Sequence, residues 1–236
     1  MRKAILLAAS PLLMTSFLAA SPALSANIGN HAEKTSSSHS AKGMNAQGIV
    51  DKATDVANEM KKDPNLVEMM QKAKGIFIVP KYAKGGLIIG AQGGEGVLLV
   101  HHDGEWSSPV FYDIGGLSFG AQAGASAGSI AMLLMSDKAV DSFKQHDKFA
   151  LNAEAGISVV KYSANGQATP GQNDVVVWSD TNGAYVGADL SVTDIHRDND
   201  QDQKYYGEPV TEKKLLANNL SKASGTMKLR DALPEG

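Results

Sequence analysis

The 236-residue sequence has no cysteine, so it can form no disulfide, no thiolate metal site, no cysteine nucleophile and no lipid anchor on an N-terminal cysteine. It also lacks an excess of base. Its 22 Lys and Arg face 25 Asp and Glu, a net charge of −3, which excludes a general nucleic-acid binder. Aromatic residues are scarce, two Trp, six Tyr and six Phe against 24 Gly. That composition points to close backbone packing and tight turns rather than a bulky aromatic core. No dinucleotide-binding or phosphate-cradling glycine loop stands in the strand-to-helix setting it would need.

The N-terminus has the layout of an export signal: Arg2 and Lys3, an apolar stretch from Ala4 to Ala20, then small residues. Ser10, Pro11, Thr15 and Ser16 interrupt the stretch, which also falls short of the roughly 20 apolar residues of a membrane-spanning helix. The expected organisation is a signal peptide over 1–26, cleaved after Ala26 with Ala23 as the alternative, a flexible linker over 27–43 and one domain over 44–236. That places the protein in the periplasm or outside the cell. Cleavage removes Arg2 and Lys3 from the 22 basic residues and no acid, leaving 20 against 25. The linker is rich in Ser, Gly, Asn and Ala, and its His31 and His39 are too isolated to form a metal site. The remaining chain of about 210 residues can bury roughly 70% of its unfolded surface in a single core without disulfides.

From Met44 the pattern becomes helical. Ile49, Ala53, Val56 and Met60 recur at helical spacing with charged residues between them, which predicts an amphipathic helix that ends at Asp63-Pro64. A second short helix follows over Asn65 to Lys74. Both can cap the domain core, or the apolar stripe can enter a membrane interface. Strands are expected at Ile76 to Pro80, Gly86 to Gln92, Gly96 to His102 and Val110 to Ile114. Gly85-Gly86-Leu87, Gly90-Ala91-Gln92 and Gly94 recur about 30 residues later as Gly115-Gly116-Leu117, Gly120-Ala121-Gln122 and Gly124, an internal repeat.

The uncharged run from Ile114 to Met135 has the length of a bilayer span, but its parity is that of a strand. Leu117, Phe119, Ala121, Ala123, Ala125 and Ala127 alternate with Gly and polar residues from Gly116 to Gly128. Glycines repeated along one strand face let a sheet bend sharply. Further on, the sequence predicts a strand over Ser129 to Met135 and a helix from Asp137 to Gln145 capped by Ser136. Strand-like alternation follows over Phe149 to Tyr162, with another strand over Val175 to Trp178. A hairpin turn at Thr181-Asn182-Gly183 leads into Ala184 to Val192. Thr211 caps a helix to about Leu220, and Lys222 to Leu233 adds a short helical turn or two. The fold class is α+β, a strongly curved, antiparallel or barrel-like sheet with N-terminal amphipathic helices and a C-terminal helix packed on it.

Several ordered blocks resemble the SYLF domain family: Ala73 to Pro80, Gly85 to Leu99, Trp106-Ser107-Ser108-Pro109, and Tyr205-Tyr206-Gly207-Glu208-Pro209-Val210-Thr211 leading into a helix. The similarity runs from about Met44 to Leu233. It implies a lipid-binding domain, which in eukaryotic members takes phosphoinositides with help from an N-terminal amphipathic helix and in some binds actin. The chain departs from the family at Ser158 to Tyr162, where a Gly-Pro turn is common, and it lacks the lipoprotein cysteine of some bacterial relatives. An actin partner does not fit an exported protein.

Lys72, Lys74, Lys81 and Lys84 are the only charged residues between Glu68 and Glu95, a locally positive stretch that can serve an anionic bilayer or be an ordinary solvated rim. Together with Ile49, Val56 and Met60 of the apolar stripe they form the expected lipid-binding set. Lys213, Lys214, Lys222, Lys228 and Arg230 are a weaker second group. Gly124-Ala125-Ser126-Ala127-Gly128 matches the serine-hydrolase pattern G-x-S-x-G, but strand alternation runs through Ser126. Asp194, His196, Asp198, Asp200 and Asp202 alternate in the manner of a divalent-ion loop, yet an EF-hand from Asp198 would need Gly and Glu where Gln203 and Pro209 stand, so a solvated acidic loop is expected. His101 and His102, as neighbours in a strand, face opposite sides. The expectation is a non-enzymatic module without cofactor or metal, whose partner is an anionic phospholipid or membrane surface. A self-associating envelope protein is the alternative, and an esterase using Ser126 the third.

Overall fold

A computed structural model describes residues 43–86, 89–119, 124–145, 148–151, 156–162, 173–180, 192–217 and 224–235. The expected signal peptide, the linker up to Lys42 and the turn at 181–183 lie outside the described residues. All described elements belong to the compact unit from Ala41 to Gly236.

The chain begins with helices α1 (Ala46–Met60) and α2 (Pro64–Lys72). Asn45 caps α1 by accepting the Gly48 N–H at 2.8 Å. Asp63 caps α2, whose first residue is Pro64, where the missing N–H would have had no helical partner anyway. Strands β1 (Gly75–Gly86), β2 (Ile89–His102), β3 (Glu105–Trp106), β4 (Val110–Phe119) and β5 (Gly124–Leu134) follow. After them come α3 (Asp137–Gln145), β6 (Lys148–Leu151), β7 (Val159–Lys161), β8 (Val175–Ser179) and β9 (Val192–Arg197). Three helices close the chain, α4 (Asn199–Tyr206), α5 (Glu212–Leu216) and α6 (Ser224–Ala232).

The strands form one sheet in the order β6-β9-β4-β2-β1-β5-β8-β7, with β3 beside β2, curled into a half-barrel with helices at both ends of the chain. All pairings are antiparallel except β7 with β8. The expected α+β class with a strongly curved sheet is what the structure shows.

Period-2 alternation in the central strands feeds two cores, one on each face. Ile76, Ile78, Val97, Leu99, Phe111, Ala131 and Leu133 face α1, α2 and α6. Phe77, Leu98, Val100, Tyr112, Met132 and Leu134 face α3 and α5. Against the expectation from composition, the second core is closed by edge-on rings, because the few aromatics gather in it: Phe143 of α3 lies 5.3 Å from Phe77, 5.1 Å from Tyr112 and 4.7 Å from Phe149 between centroids.

Proline inside a central strand removes a ladder donor, which is why the sequence places a strand end at Pro80. β1 instead continues to Gly86 through a bulge. The register slips between Ile78 and Lys81 against β2, and between Val79 and Tyr82 against β5. Opposite the bulge the two backbones come very close. A Cβ at Gly94 would lie 2.6 Å from the Lys81 carbonyl oxygen, and one at Gly96 would lie 2.5 Å from that of Ile78, so glycine is required at both.

The repeat corrects two further expectations. Gly86 to Gln92 is no strand of its own: β1 ends at Gly86 and β2 starts at Ile89, pairing Gly86 with Gly90. Likewise Leu117 to Ala127 is not a single strand, because β4 ends at Phe119, beside Ile89, and β5 starts at Gly124, beside Gly86. Both copies of the repeat therefore mark chain reversals at the same end of the sheet, with the β4 and β5 pair straddling the β1/β2 hairpin.

Candidate functional site

The apolar stripe of α1 lies in the core. Ile49 and Met60 are 0% exposed and Val56 is 6% exposed, packed with Met70, Ile76 and Leu229. Burial of such side chains contributes about 1.5–3 kcal/mol each, so α1 is held to the sheet by the very residues expected to enter a bilayer. In this fold Ile49, Val56 and Met60 have no surface to offer a membrane.

The four lysines of the positive stretch do not form one patch either. An extended strand advances about 3.3 Å per residue, which separates Lys74 from Lys84 by roughly 30 Å. Lys72, at the end of α2, pairs with Glu68 at 2.5 Å, and Lys74, just before β1, pairs with Asp137 of α3 at 2.6 Å. Lys81 is exposed beyond the bulge. Lys84 stands between Gln92 and Ser126 in the ladder, and its side chain lies outside the described residues. In the second group, Lys214 lies 3.6 Å from Glu208 and Arg230 3.0 Å from Glu105, Lys228 is exposed, and Lys222 lies outside the described residues.

What the fold does bring together is a cleft of about 870 Å³ between α3 and α5, over the ends of β1 and β2. Its apolar lining is Val100, Val140 and Leu216, and its cationic lining is Lys74, Lys144, Lys213 and Arg197. Two of these cations are engaged. Lys74 holds Asp137, and Arg197 grips Asp202 through Nε at 2.9 Å and Nη2 at 2.7 Å while also donating to the Val210 carbonyl. Glu212, in the same lining, acts on the buried Tyr112 hydroxyl, which burial and then this carboxylate push far above its usual range. Lys144 of α3 and Lys213 of α5 have no carboxylate within ion-pair distance among the described residues. Lys144 carried no sequence signal, because its partner in the cleft is some 70 residues away and only the sheet brings α3 and α5 side by side.

A second cleft, of about 810 Å³, is acidic and lies at the root of α1, lined by Glu95, Asp198, Asp200 and Gln201. Glu95 accepts the Met44 N–H at 3.1 Å and Gln201 donates to the Met44 carbonyl at 3.0 Å, so these side chains tie down the start of the domain. Asp113 faces Glu95 across the β2/β4 ladder, and burial, then Asp198, push its carboxyl up to about 6 even with His196 beside it at 3.3 Å.

The alternating acids after Val192 are not a solvated loop. Asp194 and His196 belong to β9, Asp198 caps α4, and Asp202 is 1% exposed in its pair with Arg197. Among the described residues no three of His, Asp or Glu are spaced to hold a metal ion. His102 lies 3.0 Å from Asp103, while His101 stacks on Trp106 at 4.8 Å. Ser126 sits within β5 opposite Lys84, in a run of strand from Gly124 onward. A hydrolase serine on this motif needs a sharp strand-to-helix turn, which this backbone does not make there.

The profile of the family described as "Ysc84: Las17-binding protein actin regulator" matches residues 115–235, just over half of the chain and everything from the middle of β4 to α6. The chain belongs to this family, the SYLF family. Its SYLF relatives include Protein YSC84 of Saccharomyces cerevisiae, 25% identical over 158 residues, which are 64% of this chain and 34% of that protein. The SH3 domain-containing YSC84-like protein 1 of Bos taurus is 23% identical over 169 residues, 70% of this chain and 49% of its own. The human protein of the same name is 25% identical over 146 residues, 60% and 42%. The chain thus spans about a third to a half of the length of these curated relatives. The SYLF family's description speaks of binding and regulation rather than of a reaction.

Proposed function

We propose that this SYLF module works without catalysis, by docking on an anionic lipid surface of the cell envelope. The observation that supports this reading is that Lys144 of α3 and Lys213 of α5 line one cleft of a protein whose net charge is −3. Near an anionic bilayer each lysine contributes about 1 kcal/mol, so two give about 2 kcal/mol, a reversible peripheral attachment that salt weakens. This moves the lipid-facing side from the α1 stripe and the Lys72–Lys84 run to the end of the sheet where α3 and α5 meet.

Self-association through sheet edges is the weaker reading. The terminal strands β6 and β7 have four and three residues and carry the exposed Lys148 and Lys161, the features that discourage edge pairing. Co-sedimentation of the purified protein with phosphatidylcholine vesicles, with and without phosphatidylglycerol, tests the proposal. Binding is expected only to the anionic vesicles and declines as salt rises. Absence of binding at low salt, or equal binding to both vesicle types, refutes it.

A further inference from the structure

We propose that Glu95 is a pH-dependent latch on the start of the domain: it holds the Met44 N–H while Asp113 carries a proton, and turns to Lys81 when Asp113 is ionised. The ladder lines up five ionisable side chains across the sheet. Lys81 of β1 stands opposite Glu95 of β2, Glu95 opposite Asp113 of β4, Asp113 opposite His196 of β9, and His196 opposite Lys148 of β6. Residues directly opposite in a ladder share a face, with Cβ atoms about 4.5–5.5 Å apart. Glu95 therefore has an acid on one side and a cation on the other.

In the structure the latch is closed. Oε2 of Glu95 accepts the Met44 N–H at 3.1 Å, while the exposed Lys81 forms no ion pair among the described residues. At Gly43 the chain passes so close that a Cβ there would collide with the Glu95 carboxylate. Asp113 decides which partner Glu95 keeps. On its other side His196 lies 3.3 Å away and also faces Asp194 at 3.4 Å, which Lys148 engages at 3.0 Å. From α4, Asp198 adds a further negative charge, its Oδ1 accepting the Gln201 N–H, and the remaining charges of the adjoining cleft, Asp200 and Lys204, are exposed. Burial and then Asp198 keep the proton on Asp113 up to about 6. Below that value the Asp113 hydroxyl has Glu95 opposite it as an acceptor, and a carboxylate has lone pairs for both this proton and the Met44 amide. Above it two carboxylates stand face to face, a destabilising arrangement in a ladder, which the longer Glu95 side chain relieves by turning to the cation on its other side. Nε2 of Gln201 holds the Met44 carbonyl at 3.0 Å independently of Glu95, so α1 stays on the sheet and only the grip on the entering chain changes.

The test is magnetisation-transfer NMR of the purified protein, with solvent exchange of the Met44 amide expressed as a protection factor at about pH 5 and about pH 7.5, on either side of the Asp113 ionisation. Protection should fall about two- to fivefold between them, the range for like charges placed opposite one another in a ladder. Asp113→Asn, close in shape and unable to ionise, should keep the higher protection at both values. Lys81→Met, which removes the alternative partner, should make the fall smaller. His196→Gln should retain the fall and move its midpoint upward, because a histidine charge favours the ionised Asp113. Protection that does not change with pH overturns the proposal, as does a fall that persists in Asp113→Asn. A fall that vanishes in His196→Gln makes the histidine the sensor and overturns it too. No lipid enters the readout, so the latch and the proposed docking on anionic vesicles are decided separately.

Discussion

Asp202→Ala should be among the most damaging single substitutions in the domain. Asp202 is 1% exposed and accepts three hydrogen bonds: the Phe111 N–H at 3.0 Å through Oδ1, and Nε and Nη2 of Arg197 at 2.9 and 2.7 Å through Oδ2. These bonds join α4 to β4 and to the end of β9. Truncation strands the β4 amide and leaves the Arg197 guanidinium, 11% exposed, charged and unpaired. Breaking a buried pair by removing one partner costs about 3–5 kcal/mol, a large fraction of the 5–15 kcal/mol that hold a domain of this size folded. At about 2–4 °C per kcal/mol, thermal unfolding followed by circular dichroism should shift down by roughly 6–20 °C. Burial outweighs the donors in setting the Asp202 pKa, which is raised, so the ionised pair itself supplies little net stability. The Arg197→Met/Asp202→Leu variant should therefore lie closer to the unaltered protein than Asp202→Ala does. An Asp202→Ala loss under about 1 kcal/mol, or a double variant as damaged as the two single changes added together, would refute this account of the pair.

Two further outcomes follow from burial. Met60→Ala should cost about 2–5 kcal/mol in urea unfolding, since the side chain is fully enclosed between α1 and the sheet; a stripe that served lipid instead would leave stability intact and weaken only vesicle binding. Asp113 ionises near its ordinary 3.8 in the unfolded chain but at about 6 in the fold, so the native state keeps a proton that the unfolded state releases between those values. The Asp113 contribution to stability should therefore be greatest below that window, fall as pH rises through it and stay lower above about 6. The full shift would amount to about 3 kcal/mol, which exposure of nearly a third of the side chain reduces to about 1 kcal/mol. Asp113→Asn should flatten this part of the pH profile and raise the melting temperature at about pH 8, above both ionisations; an unchanged profile would show that Asp113 is not the group responsible.

Local features were legible wherever a cap or a period stood next to them. Asn45 and Asp63 at the first helices, Ser136 at α3 and Thr211 at α5 all accept backbone N–H groups near the boundaries that composition suggested. Legibility failed in the glycine repeat. Residues 85–94 and 115–124 contain no Asn, Asp or Pro to mark a reversal, and glycine serves a strand as readily as a turn, so the alternation of residue types runs on past both chain reversals. It failed again after Val192, where acids at every second position look solvated until Arg197 is found against Asp202. For the lysines the relation is the opposite: neighbours in sequence are spread along a strand, while Lys144 and Lys213, far apart in the chain, share a cleft.

Composition and periodicity alone determined the α+β class, the absence of thiol chemistry and the amphipathic character of α1, and short ordered blocks carried the resemblance to the family, because each depends on residues close together in the chain. Only the tertiary structure decided that the α1 stripe belongs to the core, that the repeats are chain reversals at one end of a curled sheet, and that Lys144 and Lys213 line one cleft. Those outcomes depend on which elements the sheet order makes neighbours, and strand order is set by long-range pairing that no local spacing records.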